Sequence, residues 1–363
     1  MIHIVLGTKA QYIKTAPLLR SLDKQNIPYN LIDTGQHAQF SKMLRQELEI
    51  REPDVYLKDK FDISTLWSAF IWFQKYLILA TFCPGHILKN IFKDKKGICV
   101  IHGDTLSTVL SLFLAKRAGL RVAHIEAGLR SYNIFHPFPE EIIRIIAMKY
   151  SDILFAPSDW AYNNLIKMNL KSELVNMKVN TNMESTYFAL SKDANFKLGV
   201  LDYCIVTIHR AETIFSKKKM KFIVNLLSEI SKSRNVVFIL HKPTTLSLRK
   251  FRLYEALSNS KNIKLLELLP HADFIHLLNK AGFIITDGGS IQEESFYLGK
   301  PCLILRYTTE RHEGLGENVV ISEFNKDKIY HFLNHYLEFS QNNGNIDNIS
   351  ASETIVKYLK QYA

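Results

Sequence analysis

HGDTLSTVLSLFLAKRAGLRVAHIEAGLRSYNIFHPFPEE, residues His102 to Glu141, is the stretch whose reading decides the fold. An apolar run, Gly97 to Ile101, leads into Gly103-Asp104-Thr105. A helical run follows, then a second apolar run, Arg121 to Ile125, which delivers Glu126. A Pro-punctuated loop then delivers Glu140. Strand, helix, strand in this order predict a parallel α/β sheet. In such sheets ligands sit outside the carboxyl ends of the strands. Two strand ends and one loop thus aim three carboxylates, Asp104, Glu126 and Glu140, at one place. That points to proton chemistry.

The same alternation extends both ways. Ile2 to Leu6 reads as a strand that ends in Gly7-Thr8-Lys9, with a helix from about Gln11 to Gln25. No GxGxxG is present, so a dinucleotide cofactor is not expected. Lys9 and Lys14, near the helix start, suit an anion. Tyr29 to Asp33 is a further strand, ending in Thr34-Gly35-Gln36-His37, and helical segments run on to about Phe92. Asp152 to Ala156 closes this first half. The pattern turns irregular from Leu170 to Lys197. It restarts with strands at Tyr203 to Ile208, Val236 to Leu240, Ile263 to Leu266, Phe283 to Thr286 and Cys302 to Leu305. Gln341 to Asn348 is polar and loop-like, and Ser350 to Tyr362 reads as a helix. The expected division is a Rossmann-like domain over 1–175, a second over 176–345, and a C-terminal helix over 346–363 packing back on the first. Two such domains are expected to face each other across a cleft that holds the ligand.

Composition agrees with this. A chain of 363 residues exceeds one ordinary core. The 47% hydrophobic and 22% charged fractions are ordinary for a globular protein. The net charge of +11 is spread over small lysine clusters, with no aromatic-interleaved patch, so nucleic acid is not an expected partner. Cys83, Cys99, Cys204 and Cys302 lie far apart with no metal spacing. No metal site is expected, and reduced thiols fit the cytoplasm. The opening MIHIVLGT has no signal character. Leu66 to Cys83 is apolar, but Gln74 and Lys75 interrupt it and Pro84 ends it. A buried or subunit-facing helix is expected there, not a membrane span.

In the second half, Asp287-Gly288-Gly289-Ser290-Ile291-Gln292-Glu293-Glu294 is a Gly-rich turn opening a helix. Its backbone N–H groups and the helix dipole suit a diphosphate. Glu294, one turn in, is placed to hold a ribose diol. With Arg306 and His209-Arg210 at other strand ends, the turn reads as the nucleotide end of a nucleotide-sugar site.

Seven segments now stand in order: Gly7-Thr8-Lys9 with Lys14, His102 to Thr105, His124 to Arg130, Pro137 to Glu141, His209 to Glu212, Asp287 to Glu294, and Arg306 to Arg311. Together they resemble the non-hydrolysing UDP-N-acetylglucosamine 2-epimerases of bacteria and archaea. The resemblance implies a GT-B fold, a UDP-sugar substrate, neither metal nor nicotinamide, and a homodimer. It makes Asp104, Glu126 and Glu140 the acid–base candidates and puts His209 at the leaving diphosphate, where a cation stabilises developing charge. It also assigns Lys9, Lys14, Arg130, Arg210, Gly288, Gly289, Ser290, Glu294 and Arg306 to substrate, with Phe274 beside the uracil.

The chain departs from that pattern in places. The family's Gly-Thr-Arg-Pro-Glu is Gly7-Thr8-Lys9-Ala10-Gln11 here, which loses the guanidinium fork. Its Asp-Ser-Gly-Gly is Asp287-Gly288-Gly289-Ser290, and its Thr-Gly-Asn is Asn180-Thr181-Asn182. Gln36 and His37, with Gln39 nearby, match the bacterial activator site, whereas the region around Phe61 does not. These changes widen the substrate to modified UDP-HexNAc sugars, such as 6-deoxy or 2,3-diacetamido forms for surface polysaccharide. A hydrolysing 2-epimerase releasing ManNAc and UDP, a GT-B glycosyltransferase and a non-catalytic nucleotide-sugar binder are the alternatives.

Overall fold

The computed structural model describes residues 1–36, 38–57, 66–134, 139–341 and 349–363, with backbone alone at 38–41 and 66–70. His37, Phe61, the Pro137-Phe138 pair and residues 342–348 lie outside the described residues. The chain divides into two compact units, Met1–Ser185 with Asn348–Ala363, and Thr186–Asp347.

Unit 1 is built on β1 (Ile2–Leu6), β2 (Tyr29–Asp33), β3 (Val55–Tyr56), β4 (Ile98–His102), β5 (Arg121–Ile125), β6 (Ile153–Ala156) and β7 (Glu173–Asn176). All its pairings are parallel, in the order β3-β2-β1-β4-β5-β6-β7. Strands β1 and β4 are buried along their whole length, which explains their continuous apolar runs. The strand order reverses between β1 and β4, so a crevice opens outside their carboxyl ends.

The turns at that crevice are fixed by local chemistry. Thr8 caps the helix Lys9–Lys24 and Thr105 caps the helix Leu106–Arg117, each with a reciprocal capping box. Gln11 ties the two turns together. Its Oε1 accepts from Gly7 N at 2.9 Å and Thr8 N at 3.1 Å, while its Nε2 donates to His102 O at 2.8 Å and Thr105 Oγ1 at 3.0 Å. A glutamate could not make both sets, since an ionised carboxylate only accepts. The Gln11 departure therefore has a physical use here.

Unit 2 repeats the plan with β8 (Tyr203–Thr207), β9 (Asn235–Ile239), β10 (Ile263–Leu266), β11 (Phe283–Thr286), β12 (Cys302–Ile304) and β13 (Val319–Ile321). The order is β10-β9-β8-β11-β12-β13, again all parallel, with the reversal between β8 and β11. Alternate residues of β8 enter opposite layers: Cys204 and Val206 join Phe238 and Phe332, while Tyr203 and Ile205 join Val237 and Ile284.

Three segments differ from the sequence reading. The stretch read as irregular, Leu170 to Lys197, holds β7 and the helix Thr181–Leu190. That strand is at the sheet edge and only partly buried, so it lacks an apolar run. The unit boundary falls inside the helix, about ten residues beyond 175. The short β3 and β13, at sheet edges, carried no readable pattern.

The C-terminal helix Ala351–Leu359 belongs to unit 1. Glu184 holds its start, accepting from Ser350 Oγ at 2.6 Å and from Ser352 N at 3.0 Å. Glu353 accepts from Ser21 and Gln25 of the first helix, both at 2.8 Å. Cys99, Cys204 and Cys302 are buried free thiols whose pKa burial pushes up, and Cys83 is exposed. Among the described residues no helix is long and apolar enough to cross a membrane.

Candidate active site

In unit 1, Asp104 follows β4 and Glu126 follows β5, on neighbouring strands in register. Gly103, at φ +67°, allows the turn, and its N–H bonds Ile125 O at 3.0 Å. Glu126 itself takes φ +68°, a left-handed conformation that costs a non-glycine residue energy. It is nearly buried, and its Oε1 meets Lys14 Nζ at 2.5 Å and Asn180 Nδ2 at 2.6 Å. The Asp104 carboxylate meets Arg144 Nη2 at 2.5 Å. Each acid thus has its own buried cation. Glu140 is the first residue of the helix Glu140–Tyr150, where a carboxylate complements the helix dipole. Lys9 opens the helix Lys9–Lys24 on the other side of the reversal.

Two sequence candidates are engaged within unit 1. Lys14 is committed to Glu126. Arg130 lies over the Tyr132 ring, and its Nε bonds Glu141 Oε1 at 2.5 Å. His102 and His124, just beneath these turns, are fully buried, and burial pushes both imidazoles down to about 4. They are neutral at pH 7.

In unit 2, the buried Asp287 carboxylate after β11 accepts the backbone N–H of His209 at 2.9 Å and of Arg210 at 3.0 Å. This pins the end of β8 against the Gly-rich turn. Gly288 precedes the helix Gly289–Tyr297; it has no side chain to cap that N-terminus, and its own N–H donates to Thr286 Oγ1 at 2.9 Å. The N–H groups of Gly289 and Ser290, which follow it, suit an anion. A Cβ at Gly288 would lie 2.6 Å from His209 Cε1, so a larger residue there would displace the ring. A Cβ on Gly289 would meet Arg311 and Glu310. Ser290 follows, partly buried, inside the first turn.

The cations near this turn share one carboxylate. Glu310, 1% exposed, accepts from Arg210 Nη2 at 2.8 Å and from Arg306 Nη1 at 2.9 Å. Arg311 pairs with buried Glu293. Glu294 is also buried, and among the described residues its Oε2 has no hydrogen-bond partner. His271 Nε2 lies 3.9 Å from its other oxygen, beyond hydrogen-bond range. An unmatched buried carboxylate oxygen is costly unless a ligand hydroxyl supplies the missing donor. Phe274 packs partly buried in the layer beneath.

His209 differs from the role of a resident cation. Burial, and then Arg210 and Arg306 beside it, push its imidazole down to about 4. A third of the side chain is open to solvent, which tempers the size of that shift but leaves its direction. Without a ligand it is a neutral imidazole, its ring tilted 30° to that of His241 with centroids 4.7 Å apart. A bound diphosphate would favour its protonation.

Sequence reasoning missed Arg144, Asn180, Asp287 as a pin, Glu310 and His271. Arg144 had a signal, being four residues after Glu140 and so on the same helical face. Asn180 and Glu310 stood inside quoted segments, but their partners, like those of His271, are set by tertiary packing.

Each unit has its own polar cluster at the carboxyl edge of its sheet, a Gly-rich turn in unit 2 and paired acids in unit 1, on the α/β plan of a nucleotide-sugar protein. The model of the UDP-N-acetylglucosamine 2-epimerase family matches residues 20–360. A UDP-N-acetylglucosamine 2-epimerase of Methanocaldococcus jannaschii is 32% identical over 99% of this chain and 98% of its own. The crystal structure of the M. jannaschii UDP-GlcNAc 2-epimerase, in complex with UDP-GlcNAc and UDP, superposes with a TM-score of 0.85 at 31% identity, covering 99% of both chains. A UDP-2,3-diacetamido-2,3-dideoxy-D-glucuronate 2-epimerase of Pseudomonas aeruginosa is 29% identical over 87% of each chain. The chain belongs to the UDP-N-acetylglucosamine 2-epimerase family, with the GT-B type of fold.

Proposed function

We propose that this protein is a non-hydrolysing epimerase that inverts C2 of UDP-N-acetylglucosamine, or of a close UDP-HexNAc, to the manno form. The observation that carries the reading is the pair Asp104 and Glu126 on adjacent strand ends, each held by its own buried cation. In the reaction a carboxylate takes the C2 proton. The C2–H electron pair forms the C1=C2 bond of a glycal, and the C1–O bond breaks with its electrons leaving on UDP. Reprotonation at C2 on the other face and re-addition of UDP at C1 complete the balance. A base on one face and an acid on the other are what Asp104, Glu126 and Glu140 supply.

Unit 2 takes the UDP. The helix N-terminus at Gly289-Ser290, with Arg210 and Arg306, takes the diphosphate. The unmatched oxygen of Glu294 takes the ribose diol, with Phe274 near the base. His209 becomes protonated as charge develops on the leaving group. The names of the relatives include a diacetamido sugar, so the substituents at C3 and C6 belong in the test. We assign the protein to the cytoplasm as a homodimer, with the helix Leu66–Phe82 offering Ile71, Ile78 and Phe82 to a second copy, and gel filtration with light scattering checks the dimer.

Incubation with UDP-GlcNAc and its variants in D2O tests the chemistry. Deuterium enters C2 of the recovered UDP-sugar if the proposal holds. Free ManNAc with stoichiometric UDP identifies the hydrolysing reaction instead. Turnover only with an added acceptor identifies a transferase. Asp104→Asn, Glu126→Gln and Glu140→Gln each lower exchange by roughly 100-fold or more while the protein stays folded. Near-unaltered rates in all three refute the site.

A further inference from the structure

The paired cation of Asp104 does not act alone. Arg144 Nη2 meets Asp104 at 2.5 Å, and its Nη1 faces Glu141 Oε2 at 3.6 Å. Glu141 is wholly buried; it bonds Arg130 Nε at 2.5 Å and accepts Ser131 N–H at 3.0 Å. The result is a row of alternating charges, Asp104–Arg144–Glu141–Arg130, whose two middle members are buried. One end is the turn after β4. The other is the segment that leaves β5 beyond Glu126. The middle is the first turn of the helix Glu140–Tyr150.

A guanidinium can serve two carboxylates in different directions because its donors are fixed in a plane. Arg144 uses that fork to join the Asp104 turn to Glu141, and Glu141 is the chain neighbour of Glu140. The same contact therefore sets the direction of one acid and the position of another. The two outer contacts are at hydrogen-bond distance and the Arg144–Glu141 contact is an ion pair at 3.6 Å, so losing one charge leaves the next uncompensated.

We propose that Arg144 and Glu141 are positioning residues for the epimerisation, coupling Asp104 to the helix start that carries Glu140, with Arg144 aiming Asp104. The inference rests on Asp104 being one of the proton-handling acids. If the row were only structural glue, its loss would lower stability and leave the pH profile of the surviving enzyme unchanged.

The test measures C2 deuterium exchange into UDP-GlcNAc from pH 5 to 9 with the full chain. Arg144→Met, Arg144→Lys, Glu141→Gln, Asp104→Asn and Arg144→Met/Asp104→Asn are compared, each with its thermal unfolding recorded. Arg144→Met is expected to lower kcat about 10- to 100-fold, the worth of a charged hydrogen bond, with little change in KM. The acid limb of its profile moves to higher pH, because a carboxylate without its cation protonates more readily. Arg144→Lys keeps the acid limb but recovers the rate only in part, since one ammonium cannot serve both carboxylates. The double variant is little slower than Asp104→Asn alone, because both changes remove the same interaction. If Arg144→Met fails to fold, the acid limbs of Arg144→Lys and Glu141→Gln carry the comparison. A folded Arg144→Met with the unaltered kcat and acid limb overturns the inference, as do losses that multiply in the double variant. No exchange by the unaltered protein with any UDP-HexNAc overturns the proposed function itself. Exchange that Asp104→Asn leaves intact overturns the premise about Asp104.

Discussion

Lys14→Met separates two accounts of the same lysine. If Lys14 mainly contacts substrate, its loss raises KM and leaves the fold alone. The structure instead commits its ammonium to Glu126 at 2.5 Å, with side chains only 5% and 6% exposed. Breaking a buried ion pair from one side costs about 3–5 kcal/mol. Asn180 continues to donate to Glu126 at 2.6 Å, so the lower end, about 3 kcal/mol, applies. In a unit of this size each kcal/mol moves the midpoint by about 2–4 °C, giving a fall of about 6–12 °C for unit 1. Calorimetry reads the transition, and hydrogen exchange of the β4 and β5 amides assigns it to unit 1. Adding Glu126→Gln removes the stranded charge and should recover more than half of the loss. A Lys14→Met shift under about 2 °C, or losses that add in the double variant, would refute the reasoning.

Glu294→Gln should weaken UDP binding about 10- to 100-fold by titration calorimetry without destabilising unit 2, since it removes an unmatched buried charge. Equal UDP affinity would remove Glu294 from the ribose. Gly288→Ser brings back only the serine of the family's Asp-Ser-Gly-Gly and places a Cβ 2.6 Å from the His209 ring. The ring must move, so exchange should slow more than UDP binding weakens; an unaltered rate would show that its place over Gly288 is immaterial. His3, His102 and His124 of unit 1 are all pushed by burial to about 4, below the ordinary 6.5. The unfolded chain binds more protons between those values, so their contribution is whole above about pH 6.5 and is lost as pH falls toward 4. Unit 1 should lose on the order of 1 kcal/mol per pH unit for each histidine across that window, read as a falling midpoint. A midpoint flat from pH 7 to 4.5 would contradict their buried, neutral state.

What the sequence determined by itself was the alternation of elements and the chemistry at strand ends. Apolar runs of about five residues bounded by Gly, Asp or His are local signals, and they delivered β1, β2, β5, β8, β10 and β11 with their following turns. The acids at 104 and 126 and the turn at 287–290 were legible for the same reason, since a residue just after a parallel strand has one place to go. Tertiary structure decided the rest. Whether Lys14 meets an anion or Glu126, whether Arg130 faces substrate or Glu141, and whether His209 is a cation or a neutral ring depend on neighbours far apart in the chain. Charge compensation and burial are properties of the packed interior, where a partner 112 residues away lies at 2.5 Å and screening by water is absent.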